Sequence, residues 1–115
     1  MSEWRLKRVE SQLLAELATL ILSGEVRDPR ISQLVTVLGV TVTKDLKHAK
    51  VRVGGFLEPA ALERAVAGLN NASGFMQSRI GRRLKYKYTP QLTFVADLSV
   101  REGYEVTRRI EELDR

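Results

Sequence analysis

Arg79, Arg82, Arg83, Lys85 and Lys87 fall within nine residues, and no Asp or Glu stands between Ala72 and Gln91. Cations packed that densely, without a counter-charge among them, suit the neutralisation of phosphates along a nucleic acid. Their other use is to complement the negative end of a helix, but one or two cations satisfy that need. A second block, Lys44, Lys47, Lys50 and Arg52, contains the single acid Asp45. The net charge of +5 is therefore concentrated: residues 35–57 carry +3 and residues 72–91 carry +5, whereas residues 92–115 carry −2. Arg5, Lys7 and Arg8 lie between Glu3 and Glu10 and read as a mixed, solvated helix face.

Bond-making chemistry finds little to work with. His48 is the only histidine and there is no cysteine, so disulfides, thiolates and a His/Cys zinc set are all unavailable. The sequence has no GxxxxGK[ST] phosphate loop. Asp45 and Asp97 are the carboxylates of the sheet region, and Asp45 is better placed to bond its own turn than to hold a metal. The reading is a protein without catalytic residues, metal or cofactor. Tyr86 and Tyr88 alternate with Lys85 and Lys87 in what reads as the opening of a strand. That alternation predicts tyrosines turned to the core and lysines to solvent.

The elements that must position these side chains follow from periodicity. Leu6, Val9, Leu13, Leu17 and Leu20 form one apolar stripe of a helix from about Ser2 to Ser23. Gly24 stops it, and Asp28 before Pro29 is steered out of helical geometry. Residues 34–43, LVTVLGVTVT, are rich in β-branched side chains and pair across the turn KDLKH with a strand over residues 49–56. Pro59 suits the first turn of a second helix with Leu62, Ala65, Val66 and Leu69 buried. Met76, Ile80 and Leu84 mark a third helix, residues 91–97 a third strand, and Val106, Ile110 and Leu113 a short terminal helix. With 115 residues and 43% hydrophobic content, residues 1–115 read as a single domain. No apolar run approaches the ~20 residues of a membrane span, and the charged N-terminus is not a secretory signal. A cytoplasmic location is expected.

The order is α-β-β-α-α-β followed by a helix. It predicts an α+β fold with a three-stranded mixed sheet and helices packed on one face. That is the order of a type II KH domain, an RNA-binding fold. The usual GXXG clamp is missing, because no two of the eight glycines are three residues apart. Ala72-Ser73-Gly74 stands in its place, as a kink between two helices. One reading makes Ala72 and Gly74 small so that the helices cross tightly. The other exposes fresh helix N–H groups, capped by Ser73 or Asn71, to which a phosphate backbone comes close.

At this kink the sequence resembles the ribosome-binding factor A family, in which Ala-x-Gly replaces the glycine loop of a KH-like fold. Further pieces match in order: Arg8-Val9, Asp28-Pro29-Arg30, Val40 to Leu46, Ala49-Lys50-Val51, Gly68-Leu69, Gly74-Phe75 and Pro90 to Phe94 with Asp97. Arg52 departs from the pattern, standing where the family often has tyrosine. The resemblance implies a non-catalytic factor that binds the immature small (30S) ribosomal subunit. It implies a role in 16S rRNA maturation, 5′-end processing and growth in the cold. Its RNA-binding residues are expected to be Arg79, Arg82, Arg83, Lys85, Lys87, Lys44, Lys47, Lys50 and Arg52, with Ala72, Ser73 and Gly74 forming the kink. The protein is expected to act as a monomer, without membrane or small-molecule partner. The competing reading is a general KH-like module for single-stranded nucleic acid.

Overall fold

The computed structural model describes residues 3–114. The chain runs α1 (Glu3–Leu22), β1 (Thr36–Val42), β2 (His48–Gly54), α2 (Pro59–Asn71), α3 (Ser73–Leu84), β3 (Gln91–Ala96) and α4 (Ser99–Leu113). Ser2, the expected start of α1, lies outside the described residues. The sheet order is β1-β2-β3, with β1 antiparallel and β3 parallel to the central β2. This is the mixed sheet that the element order predicts.

Alternation along the strands decides which face is covered. Ala49, Val51 and Val53 of β2, with Leu92 and Phe94 of β3, are buried against Leu13, Leu17 and Leu20 of α1, Leu62 and Leu69 of α2, and Met76 and Ile80 of α3. Lys50 and Arg52 alternate with the buried residues and so occupy the opposite face, which no helix covers. Gly39 pairs with Arg52 next to a β-bulge, and a Cβ at Gly39 would collide with the Arg52 guanidinium. The guanidinium is the far end of a flexible, half-exposed side chain, so a side chain at residue 39 would only require Arg52 to swing aside.

Helix side chains also cover part of both sheet edges. Glu10 of α1 accepts a hydrogen bond from the Val42 N–H at 2.8 Å on the β1 edge. On the β3 edge, Asn70 grips Phe94 with both ends of its amide. Its Oδ1 accepts from the Phe94 N–H at 2.8 Å and its Nδ2 donates to the Phe94 carbonyl at 3.0 Å. Gln77 accepts from the Leu92 N–H at 3.1 Å. An open row of backbone groups invites pairing with another chain, and these side chains occupy part of it.

The link after α1 is held by the same logic. Asp28 accepts from the Arg30 backbone N–H at 2.9 Å and from the Arg30 guanidinium at 3.0 and 2.7 Å. This turn rests on α2 at Gly68, where a Cβ would lie 3.1 Å from both Asp28 Cγ and Ile31 Cγ1. Two motifs well separated in the chain are therefore one contact. At the end of β2, Gly55 has φ 136, and a Cβ there would run into the Leu34 carbonyl.

Two expectations need correction. The strand expected to open with Lys85 and Lys87 begins only at Gln91, and Lys85 is instead the left-handed C-cap of α3, with φ 56. The terminal helix starts at Ser99 and runs 15 residues, with none of them buried. Arg101 anchors its first half through Glu58 at 3.0 Å and the Leu57 carbonyl at 3.3 Å. Tyr104 adds an edge-to-face contact on Phe56 at 5.7 Å. Val106, Ile110 and Leu113 stay exposed beyond that anchor.

Candidate nucleic-acid interface

The kink is tight but uncapped. Ala72 (φ −92, ψ 5) closes α2 and opens α3, its N–H donating to the Gly68 and Leu69 carbonyls and its carbonyl accepting from Met76. Neither Ser73 nor Asn71 caps α3, contrary to expectation. Gly74 has open space where a Cβ would sit. Close helix crossing therefore does not explain Gly74; the reading of a backbone left open to an approaching ligand agrees with that space. A groove of about 610 Å³ borders the kink, lined by Glu25, Val26, Arg27, Ala72, Phe75 and Arg79.

Arg79 of α3 lines this groove and Arg83 reaches Glu16 on the side of α1, so these two are not unopposed. Arg79 meets Glu25 at 3.2 Å, and Arg83 meets Glu16 and Glu25, each at 3.3 Å. Arg82 bonds Ser78 at 3.2 Å and meets no carboxylate among the described residues. The acid-free block of sequence thus receives two acids from elsewhere in the chain, and its three guanidiniums retain a net charge near +1. These pairs are substantially exposed, and such pairs contribute only about 0–1 kcal/mol each. A phosphate can displace them at little cost. Arg79 also stacks over Phe75 at 5.3 Å, and that ring is 42% exposed.

Arg27 and Phe75 are absent from the expected site residues. Phe75 is detectable in the sequence, since it lies 100° off the Met76 position on the helical wheel and away from the buried stripe. Arg27 is not, because nothing local ties residue 27 to the kink.

The second basic block divides. Lys50 is exposed on the uncovered sheet face, and Arg52 beside it pairs with Asp97 at 3.3 Å. Lys44 and Lys47 sit at the hairpin turn, where Asp45 accepts from the Lys47 N–H at 3.0 Å and from Thr43 Oγ1 at 2.6 Å. That is the turn-forming role read for Asp45. The hairpin and α3 blocks therefore do not form one continuous surface. Lys47 and Lys87 line one cleft at the hairpin end, whereas Lys50 and Arg52 lie across the sheet from the α3 arginines. Lys44, Lys47, Lys50, Lys85 and Lys87 make no ion pair among the described residues.

The tyrosines also separate. Tyr86 is half-buried and its hydroxyl bonds Gln12 Oε1, while burial raises its pKa. Tyr88 is 82% exposed, so the expected pair of core rings is one core ring and one surface ring. The α3 C-cap turns the chain out of strand geometry and breaks the alternation on which that expectation rested.

The carboxylates of the sheet region do not converge. Asp45 and Asp97 lie at opposite ends of the sheet, separated by roughly 20 Å at ~3.3 Å per strand residue. Hydrogen bonding from the Ser99 side chain and from its backbone N–H at 2.8 Å, together with the Arg52 pair, lowers the Asp97 pKa. Among the described residues no group of three His, Asp or Glu side chains could hold a metal ion, and no helix is long and apolar enough to cross a membrane.

Asp28 offers a pH test of the turn beneath the kink. Its hydrogen bonds from the Arg30 side chain and backbone lower its pKa from 3.8 to about 2. A depressed carboxylate contributes stability that is present above its unfolded pKa and is lost as pH falls through the folded value. The Asp28 carboxyl carbon shift is expected to titrate near pH 2 by NMR, and Arg30→Ala to move that midpoint toward 3.8.

A helix–kink–helix pair laid over a three-stranded mixed sheet, with lysines unpaired at its rim, defines a KH-like nucleic-acid-binding protein. Within that class the chain belongs to the ribosome-binding factor A family, whose family model matches residues 5–110. It is 40% identical to ribosome-binding factor A of Treponema denticola over 99% of this chain and 86% of that protein. The Borreliella burgdorferi protein of the same name is 45% identical over 93% of this chain and 89% of its own length. Among solved structures, the crystal structure of ribosome-binding factor A from Thermus thermophilus superposes with a TM-score of 0.67 at 32% identity, covering 79% of this chain and 94% of that one. A homology model of the Thermus thermophilus factor, fitted into the cryo-EM map of a 30S–RbfA complex, matches with a TM-score of 0.65 at 31% identity, over 79% of this chain and 93% of that one.

Proposed function

We propose that this protein binds the immature small ribosomal subunit and assists 16S rRNA maturation, including processing at the 5′ end, without cutting RNA itself. The observation that carries this reading is its likeness to a factor whose coordinates were fitted into a 30S complex. The physical means is positional. The open kink at Gly74, the Phe75–Arg79 platform and the guanidiniums held by Glu16 and Glu25 form one face of α3. A phosphate backbone arriving there exchanges weak internal ion pairs for contacts with a more densely charged polyanion. Arg79, Arg82 and Arg83 bind at that face, and Lys44, Lys47, Lys85 and Lys87 bind from the hairpin end. Lys50 and Arg52 reach only RNA that passes the uncovered sheet face. Held in this way, rRNA keeps one arrangement until its folding finishes, an effect of greatest use in the cold. The protein acts as a monomer in the cytoplasm, with no cofactor.

Co-sedimentation tests the reading. The protein is expected to travel with free 30S particles and not with assembled 70S ribosomes. Its affinity should fall with salt by about 0.7–0.9 in log–log slope for each phosphate contact. Equal affinity for 30S particles and bulk RNA at matched salt would instead indicate a general nucleic-acid module.

A further inference from the structure

A second cleft lies at the other end of α3 from the kink, about 18 Å away along twelve residues at ~1.5 Å each. It measures about 680 Å³ and is walled by Leu46, Lys47, Tyr86, Lys87, Tyr88 and Pro90, with Arg5, Val9, Asp45 and Thr89 completing it. Three separate elements meet there: the start of α1, the hairpin turn and the loop leading into β3. We propose that this cleft holds one unstacked base of single-stranded RNA, with Tyr88 as the stacking surface and Lys47 and Lys87 on the flanking phosphates. The inference rests on the proposed RNA-binding function and adds a specific ligand: an unpaired nucleotide rather than a duplex.

Chemistry on both sides of the cleft supports this occupant. Tyr88 is 82% exposed, a large apolar cost for a ring that packs against nothing in the core. Leu46, held at φ 62 by the Asp45 turn, adds an aliphatic wall facing the same space. The one carboxylate in the cleft, Asp45, accepts from Thr43 and the Lys47 backbone, and its charge lies beside Lys47, so it offsets one of the cleft's cations. The ammoniums of Lys47 and Lys87 have no ion pair among the described residues, and that of Lys87 lies 5.7 Å from the Tyr88 ring. An apolar peptide would offer no anion to the cleft's remaining positive charge, and a duplex cannot present a base face. A splayed nucleotide offers a π-face to the ring and phosphates to the ammoniums.

The test uses the full chain, a short oligouridylate and an RNA duplex of matched phosphate count. Tyr88→Ala is expected to weaken oligouridylate binding about tenfold, as loss of one base stack does. Tyr88→Phe should stay within about twofold, and duplex binding should not respond to either change. Lys47→Ala with Lys87→Ala should lower the salt slope for the oligonucleotide by about 1.4. Tyr88 ring protons should shift upfield by NMR as oligouridylate is added. The inference is overturned if Tyr88→Ala leaves oligouridylate affinity within twofold. It is equally overturned if the loss appears with 30S particles but not with naked RNA, which would assign the cleft to a ribosomal protein. Wild-type co-sedimentation with 30S particles, run in parallel, judges the parent reading separately: its failure beside an intact Tyr88 effect would leave the cleft standing.

Discussion

Asn70→Ala should destabilise the protein by about 1–3 kcal/mol in urea denaturation, although Asn70 itself is a surface residue. The side chain supplies both a donor and an acceptor to Phe94, a residue only 1% exposed at the centre of β3. Removing it leaves a backbone N–H and a carbonyl on a sheet edge with water as their only recourse, and an orphaned polar group of this kind costs about 1–3 kcal/mol. Asn70→Asp separates the two bonds, because a carboxylate can accept from the N–H but cannot donate to the carbonyl. Its cost should fall between wild type and alanine. Hydrogen exchange at the Phe94 amide provides the local readout and should accelerate more in the alanine variant than at amides of β1. An Asn70→Ala protein as stable as wild type would mean that the clamp contributes nothing to holding α2 against the sheet.

The second large effect concerns the arginines of α3. Replacing Arg79, Arg82 and Arg83 with alanine is expected to weaken 30S binding well over tenfold and to reduce the salt slope by about 2 for single-stranded contacts. The change is not silent for folding, since it removes the ties from α3 to Glu16 and Glu25. With discounting for exposure, these amount to about 1–2 kcal/mol together. Stability alone therefore cannot interpret the result, and the acidic partners separate the two roles. Glu16→Gln with Glu25→Gln also breaks every one of those ties, yet it leaves the guanidiniums in place without competitors. If the arginines meet phosphates, this variant should bind 30S particles about threefold or more tighter while losing similar stability. Weaker binding by the glutamine variant would make the arginines structural and place the RNA contact elsewhere.

Much of the architecture is legible in the chain because local periodicity controls it. The stripes Leu13-Leu17-Leu20 and Met76-Ile80 specify which side of each helix is buried, whatever covers it. The break at Ala72, the Asp28 turn and the Asp45 turn involve neighbours in the chain, and they appear where they are expected. Tyr88 escapes such a reading for a related reason: alternation is informative only inside a strand, and the left-handed Lys85 ends α3 before a strand has begun. Asn70 looks like part of a helix break, because its purpose lies 24 residues away in β3.

Element order, the buried stripes, the position of the kink and the concentration of positive charge in two blocks all follow from the order of residues. They are consequences of spacing along a single chain, where 3.6- and 2-residue periods translate directly into faces. How much of that charge is free is a property of the folded molecule alone. Arg79 finds Glu25 across 54 residues and Arg83 finds Glu16 across 67, while Lys47 and Lys87 line one cleft with the single carboxylate of Asp45. Coulombic partnership depends on distance in space, and packing of the apolar faces sets those distances without regard to charge. The chain therefore announces a cationic protein, and the fold chooses which cations remain available to RNA.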